Sequence, residues 1–198
     1  MNNNNGKRKI AVDLDGVVFD FLSPFCFFYN KKHGTNFGLR NLTTYDLHSV
    51  FQTPEERLRS EMNEFYKSKL FEELKLVMGA RTGIRKLSER HTLGVVTSRP
   101  DTTHSATISS LTKHFPGVFS DVYFTSQYGG NGHRQKKSDY CRDQGYEVII
   151  EDVAEYANEC SESGVLAFLL TRPWNRNELL HSSVVRVKNW FEISKRLK

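Results

Sequence analysis

Cysteine is scarce in this 198-residue chain: there are three, Cys26, Cys141 and Cys160. The total is odd and no two are close in sequence, which argues against a disulfide framework and against a zinc cluster. All three are expected to be reduced packing residues. The seven histidines show no HExxH or comparable ligand spacing. No apolar run approaches the roughly 18 to 20 residues of a membrane helix, and the polar start Met1–Lys9 lacks the apolar centre of a secretory signal. No membrane partner and a cytosolic location are therefore expected. There is no internal repeat, and low complexity is confined to an Asn-rich start.

What is present is the composition of a soluble globular protein, with 38% hydrophobic, 12% aromatic and 26% charged residues. The length suits one domain carrying a small inserted module. Lys and Arg total 28 against 23 Asp and Glu, a net charge of +5. That mild excess favours an anionic ligand.

Apolar runs recur at Ile10–Val12, Thr92–Thr97, Val122–Thr125, Glu147–Ile150, Val165–Leu170 and Val184–Val187. Most lack polar alternation, which predicts strands of a parallel sheet covered on both faces. Between them lie helical patterns at Thr82–Arg90, Thr103–His114, Lys137–Gln144 and Ala154–Ser163, the last two closed by Gly145 and Gly164. Strands alternating with helices predict a doubly wound α/β fold. About 60 residues after the first strand break this rhythm. Ser23-Pro24 opens one helix that Gly34 closes, and Thr53, Pro54 and Glu56 have the spacing of a capped helix start. The expected division is a disordered tail at 1–8, a core of 9–18 and 81–198, and a helical insertion at 19–80.

The informative stretch is KIAVDLDGVVFDF, residues 9–21, where a buried strand delivers Asp13 and Asp15 just ahead of Gly16. Two carboxylates this close call for either a bound cation or one protonated carboxyl. A calcium loop counted from Asp13 would need glycine at Val18 and glutamate at Pro24, so that reading fails. Three further strand ends carry chemistry: Thr97 and Ser98; Lys136 and Lys137 after the third run; and Glu151 and Asp152. In open α/β sheets ligands sit at the carboxyl ends of strands, so these groups are expected to converge on a site for magnesium and a phosphate.

DLDGV (13–17), VVTS (95–98), a lysine and IIED (149–152), in this order and spacing, resemble the four motifs of the haloacid dehalogenase superfamily of phosphohydrolases. The resemblance spans roughly residues 9–176. DGVVFDF running into a helical insert, VVTSRP and LLTRPWNRN are similar to the cytosolic 5′(3′)-deoxyribonucleotidases and related nucleotidases. The resemblance implies a Rossmann-like core with a helical cap and hydrolysis of a phosphate monoester, most often a nucleoside monophosphate. A nucleic-acid end or another small metabolite is the alternative within catalysis, with the basic stretch His133–Lys137 compatible with either; a non-catalytic nucleotide-binding module is the third reading.

In that family Asp13 would be the nucleophile and Asp15 the general acid and base, a role suited to a carboxyl whose pKa its neighbour raises. Mg2+ would be held by the Asp13 side chain, the Asp15 carbonyl and Asp152, with Glu151 as the alternative. Thr97 and Ser98 would donate to the phosphate. Lys137, which lies 15 residues before Asp152, would neutralise it, with Lys136 as the alternative. Arg99 and Arg172 are weaker candidates for anion contacts, and Trp174 and Asn175 border the site by the same likeness. Phe19, Phe21, Phe25, Phe27 and Phe28 are expected mainly in the core, with base stacking as the other use. The helix 54–69 is expected as plain scaffolding.

Overall fold

Six short strands pair into one parallel sheet in a computed structural model that describes residues 6–125 and 135–198. They are β1 Lys9–Val12, β2 Thr92–Thr97, β3 Phe119–Phe124, β4 Val148–Glu151, β5 Leu166–Leu170 and β6 Val185–Val187. Their order across the sheet is β3-β2-β1-β4-β5-β6. β1 lies between β2 and β4, so the residues just after these three strands meet at the point where strand order reverses. The expected doubly wound parallel sheet is present. β3 departs furthest from the reading, starting three residues earlier, at Phe119, while the other strand bounds move by at most one residue. It is an edge strand and half exposed, so Ser120 and Asp121 are tolerated there and mask it in sequence.

Alternation along each strand sends successive side chains to opposite faces. Ile10, Val12, Val148, Ile150, Phe168 and Leu170 belong to one apolar cluster, which includes Ile84, Leu87, Trp190 and Ile193. Ala11, Ile149, Ala167 and Leu169 belong to another, with Cys141, Ala154, Ala157 and Cys160. Helices α5 (Ala80–Ser88) and α9 (Trp190–Arg196) supply the first set, and α7 (Lys137–Asp143) and α8 (Ala154–Glu162) the second. Both faces of the sheet are thus buried, which is why its strands read as continuous apolar runs. All three cysteines are free and buried.

Helices α1 (Leu22–His33), α2 (Leu47–Phe51), α3 (Glu55–Phe65) and α4 (Lys69–Glu72) fall between β1 and α5, and α6 (His104–His114) follows β2. Gly34 closes α1 in the left-handed region at φ 65°, as its position suggested. Helix α3 starts one residue later than the capped pattern implied, at Glu55, and no side chain caps it. The chain leaves and re-enters this helical segment through adjacent backbone: the Asp20 amide donates to the Lys75 carbonyl at 2.8 Å and the Val77 amide to Val18 at 2.9 Å. Phe21, Phe25, Phe65 and Phe71 pack together in this segment, mostly edge to face, with ring centroids 5.3 to 6.4 Å apart.

Of the expected tail, residues 1–5 lie outside the described residues, as do His133 and Arg134 of the basic stretch 133–137. Arg8, the tail's last residue, is tied down: its amide donates to His91 Nδ1 at 3.2 Å and its carbonyl accepts from the Thr92 amide at 2.9 Å. Among the described residues no helix is long and apolar enough to cross a membrane.

Candidate active site

The ladder of β1 continues one step past the strand, with the Asp13 amide donating to the Ile150 carbonyl at 3.0 Å. Alternation then sends Asp13 to the same face as Ala11, the face that α7 covers. There Lys137 Nζ donates to Asp13 Oδ1 at 2.6 Å and to Glu151 Oε1 at 2.5 Å. All three side chains are buried. Burial pushes the Asp13 carboxyl up to about 7, against the pull of Lys137. Burial also opposes the charge on Lys137, but Asp13 and Glu151 outweigh it and hold the ammonium well above its ordinary value. Lys136, the alternative, points away to an exposed pair with Glu159 at 3.0 Å.

The two acidic residues at the end of β4 divide the work. Glu151 spends its second oxygen on the amides of Asp152 and Val153, at 2.8 and 3.0 Å. It is the counterion of Lys137, which the sequence reading left undecided. Asp152 accepts from the Trp174 indole N–H through Oδ2 at 3.0 Å, while its Oδ1 is buried without a partner. Burial, with Glu151 and Asp13 beside it, raises the Asp152 carboxyl well above its usual range. Asp13, Glu151 and Asp152 bring one oxygen each within 4.8 Å of one another. These are hard oxygen donors of the kind magnesium takes, and Asp152 Oδ1 is a buried oxygen with no hydrogen bond committing it elsewhere. Asp13 and Asp152 fit a divalent ion; Glu151 is already committed.

Asp15 faces elsewhere. Arg99 grips it with two bonds, Nη2 to Oδ1 at 2.6 Å and Nε to Oδ2 at 2.9 Å. Asp15's immediate partner is therefore a cation, where the sequence suggested the neighbouring carboxylate. Arg99 is itself buried, donates to Thr107 at 3.0 Å and lies over the rings of Phe19 and Phe71, 5.4 and 4.8 Å from their centroids. Burial opposes its charge, yet Asp15 outweighs that and raises its pKa. Arg172 is likewise used internally, donating twice to the Gly16 carbonyl. Thr97, at the end of β2, accepts from the Arg99 amide at 3.3 Å, and Ser98 Oγ is buried without a partner.

These groups line one cavity of about 440 Å3, with Asp13, Asp15, Thr97, Ser98, Arg99, Lys137 and Asp152 along its lining. Elsewhere the lining comes from Tyr45 and Leu47, from Leu58, Arg59, Met62 and Asn63 on α3, and from Tyr66, Phe21 and Tyr156. Helix α3 therefore is not plain scaffolding: a face of it reaches the site. The signal was visible, since Leu58, Met62 and Tyr66 share one helical face, but periodicity cannot tell a face packed on a core from one lining a cavity. Of the five phenylalanines, Phe19 and Phe25 are core, Phe28 is partly buried against the core, Phe21 is buried yet touches the cavity, and Phe27 is exposed.

A family profile described as 5′ nucleotidase, deoxy (pyrimidine), cytosolic type C protein matches residues 7–197. The chain belongs to this family. As a member of the cytosolic type C nucleotidase family it shares 28% identity with a nucleotidase of Clostridium acetobutylicum, over 93% of this chain and 90% of the relative. It shares 26% with a 5′(3′)-deoxyribonucleotidase of Bacillus subtilis, over 96% and 99%. Among solved structures it resembles a haloacid dehalogenase-like hydrolase from Streptococcus pneumoniae, with TM-score 0.71, 16% identity and coverage of 98% and 100%. A second such hydrolase, from Bacillus subtilis and solved bound to magnesium, gives TM-score 0.65 at 14% identity, covering 97% and 99%. These neighbours share the fold of this nucleotidase family member.

Proposed function

We propose that this chain is a cytosolic, magnesium-dependent hydrolase of nucleoside monophosphates, removing a 5′ or 3′ phosphate through an aspartyl-phosphate on Asp13. The observation that carries this reading is the buried Lys137–Asp13 contact at 2.6 Å beside the unpartnered Oδ1 of Asp152. In this reading a candidate nucleophile is held by a cation, beside a carboxylate oxygen that would take a metal.

In this scheme an Asp13 oxygen attacks phosphorus and the bond to the leaving oxygen breaks; Asp15 supplies the proton that oxygen needs. Asp15 then takes a proton from water, which attacks the phosphorus of the acyl phosphate and frees phosphate and Asp13. Asp15 must release one arm of Arg99 to do this. Ser98 and Thr97 donate to phosphate oxygens, and Lys137 balances their charge. Asp13, Asp152 and the Asp15 carbonyl would hold magnesium, whose charge would reduce repulsion between nucleophile and phosphate.

Residues 19–80 would act as the cap. Phe21, Tyr45, Leu58, Met62 and Tyr66 offer a wall that is apolar and aromatic, suited to a nucleobase. Asp46, Glu55, Glu155 and Glu178 also line the cavity and are exposed. Glu55 is paired with Arg59 at 2.8 Å and Asp46 with His48 at 3.0 Å, but Glu155 and Glu178 would repel a polyanion, which favours a mononucleotide over a nucleic-acid end despite the basic net charge.

Phosphate release from ribo- and deoxyribonucleoside monophosphates, sugar phosphates and 3′-phosphorylated oligonucleotides, with magnesium or chelator, tests this. Turnover of mononucleotides that disappears with chelator and in Asp13→Asn is the expected result. No release from any mononucleotide by folded, magnesium-loaded protein would refute it.

A further inference from the structure

The segment Thr171–Asn175, just after β5, holds both arms of the site without belonging to the chemistry assigned above. Arg172 fastens the β1 arm through the Gly16 carbonyl, with bonds of 2.8 and 2.5 Å. Asn175 fastens the β4 arm: its Nδ2 donates to the Asp152 carbonyl at 2.7 Å and to Leu170 at 2.8 Å. Asn175 is fully buried, and its Oδ1 accepts from the Arg172 amide at 3.1 Å and from Arg186 at 2.9 Å. Between the two arms, the Trp174 indole meets the Asp152 side chain itself.

The chemistry of that last contact is specific. Asp152 sits buried beside Glu151 and Asp13, where a cationic partner would have given the greatest relief. It receives a neutral N–H instead, on Oδ2 alone, and its Oδ1 is left without a bond. The arrangement is closely fitted: a Cβ on Gly16 would lie 2.0 Å from Asp152 Oδ2 and 3.2 Å from Trp174 Cζ2. A donor that fixes a carboxylate without neutralising it, and leaves one oxygen bare, is what an outer partner of a metal ligand must be.

We propose that Trp174 is a positioning residue that sets the divalent-cation affinity of this site, holding Asp152 by Oδ2 so that Oδ1 serves as the ligand. This rests on the magnesium reading given under Proposed function. Removing such an outer donor typically weakens metal binding about 10–100-fold.

The test uses magnesium alone, without substrate, on the full chain. Isothermal titration of the unsubstituted protein and of Trp174→Phe compares dissociation constants, and a loss of tenfold or more is expected. The chain has only two tryptophans, and the Trp190 indole is bonded to the Val17 carbonyl at 2.9 Å. In 15N-indole spectra of the unsubstituted protein, magnesium is therefore expected to move the Trp174 signal more than that of Trp190, whose signal in the variant also reports folding. An unchanged dissociation constant in folded Trp174→Phe overturns the proposal. So does a Trp174 signal that stays fixed while titration heats show binding, and this result decides the matter should the variant fail to fold. Absence of any magnesium binding by the unsubstituted protein sinks the metal reading and the proposal together.

Discussion

Replacing Gly16 with alanine isolates how closely the two arms of the site must approach. Gly16 has φ +80°, a conformation that costs an alanine about 1–2 kcal/mol. Its Cβ would stand 2.0 Å from Asp152 Oδ2 and 2.7 Å from Cγ, so the carboxylate must retreat by at least about 1.4 Å to reach van der Waals distance. It cannot do so freely, since Trp174 grips Oδ2 and Asn175 grips the Asp152 backbone. Forced overpacking of this kind costs about 1–3 kcal/mol, giving a loss of about 2–5 kcal/mol overall. For a chain of this size each kcal/mol moves Tm by about 2–4 °C, so calorimetry is expected to show a drop of about 4–20 °C. Displacing a candidate metal ligand by more than an ångström is expected to lower kcat/KM about 100-fold and to raise the magnesium concentration needed for half-maximal turnover. A Gly16→Ala protein with unchanged Tm and unchanged kcat/KM would refute the reasoning, because Asp152 would then not lie against residue 16.

Lys137→Ala strands Glu151 as a buried, uncompensated charge and is expected to cost about 3–5 kcal/mol in denaturant unfolding. It also removes the cation that holds the Asp13 carboxyl down, so turnover at neutral pH is lost, whereas Lys136→Ala, at an exposed pair, leaves stability within about 0.5 kcal/mol. Equal effects of the two substitutions would contradict the assignment of Lys137. Arg99→Lys keeps the charge but not the two-point grip on Asp15; kcat is expected to fall at least tenfold with little change in KM, and a pure KM effect would point instead to a substrate contact. Between α1 and α3, Lys32 and His33 bond Glu61 at 2.9 and 3.0 Å. Burial opposes the charge on Glu61, but these partners outweigh it and hold the carboxyl below its ordinary 4.5. A lowered carboxyl stabilises the fold above its unfolded pKa and loses that contribution as pH falls through the folded value. The Tm difference between the unsubstituted protein and Glu61→Gln should thus shrink as pH falls below about 4; a difference growing toward low pH would contradict this.

The apolar runs determined the parallel sheet, because strands buried on both faces have no polar side to show. The motif residues Asp13, Asp15, Thr97, Ser98 and Asp152 were legible as strand-end polar groups, since the fold gathers such ends at one edge. Three things were decided only by tertiary structure. The sequence favoured Lys137 and Asp152 only by resemblance, with Lys136 and Glu151 left as alternatives; what each of them does depends on the face of α7 turned to the sheet and on the alternation of β4, which sends Glu151 to Lys137 and frees Asp152. Arg99 and Arg172 read as exposed cations near an anion site, yet each is turned inward, on Asp15 and on the Gly16 carbonyl, because those partners arrive from segments 84 and 156 residues away. The apolar stripe of α3 gave its amphipathic form, but a stripe looks the same whether it meets a core or a cavity. Local pattern fixes which face of an element is apolar; only the packing of distant elements decides what that face meets.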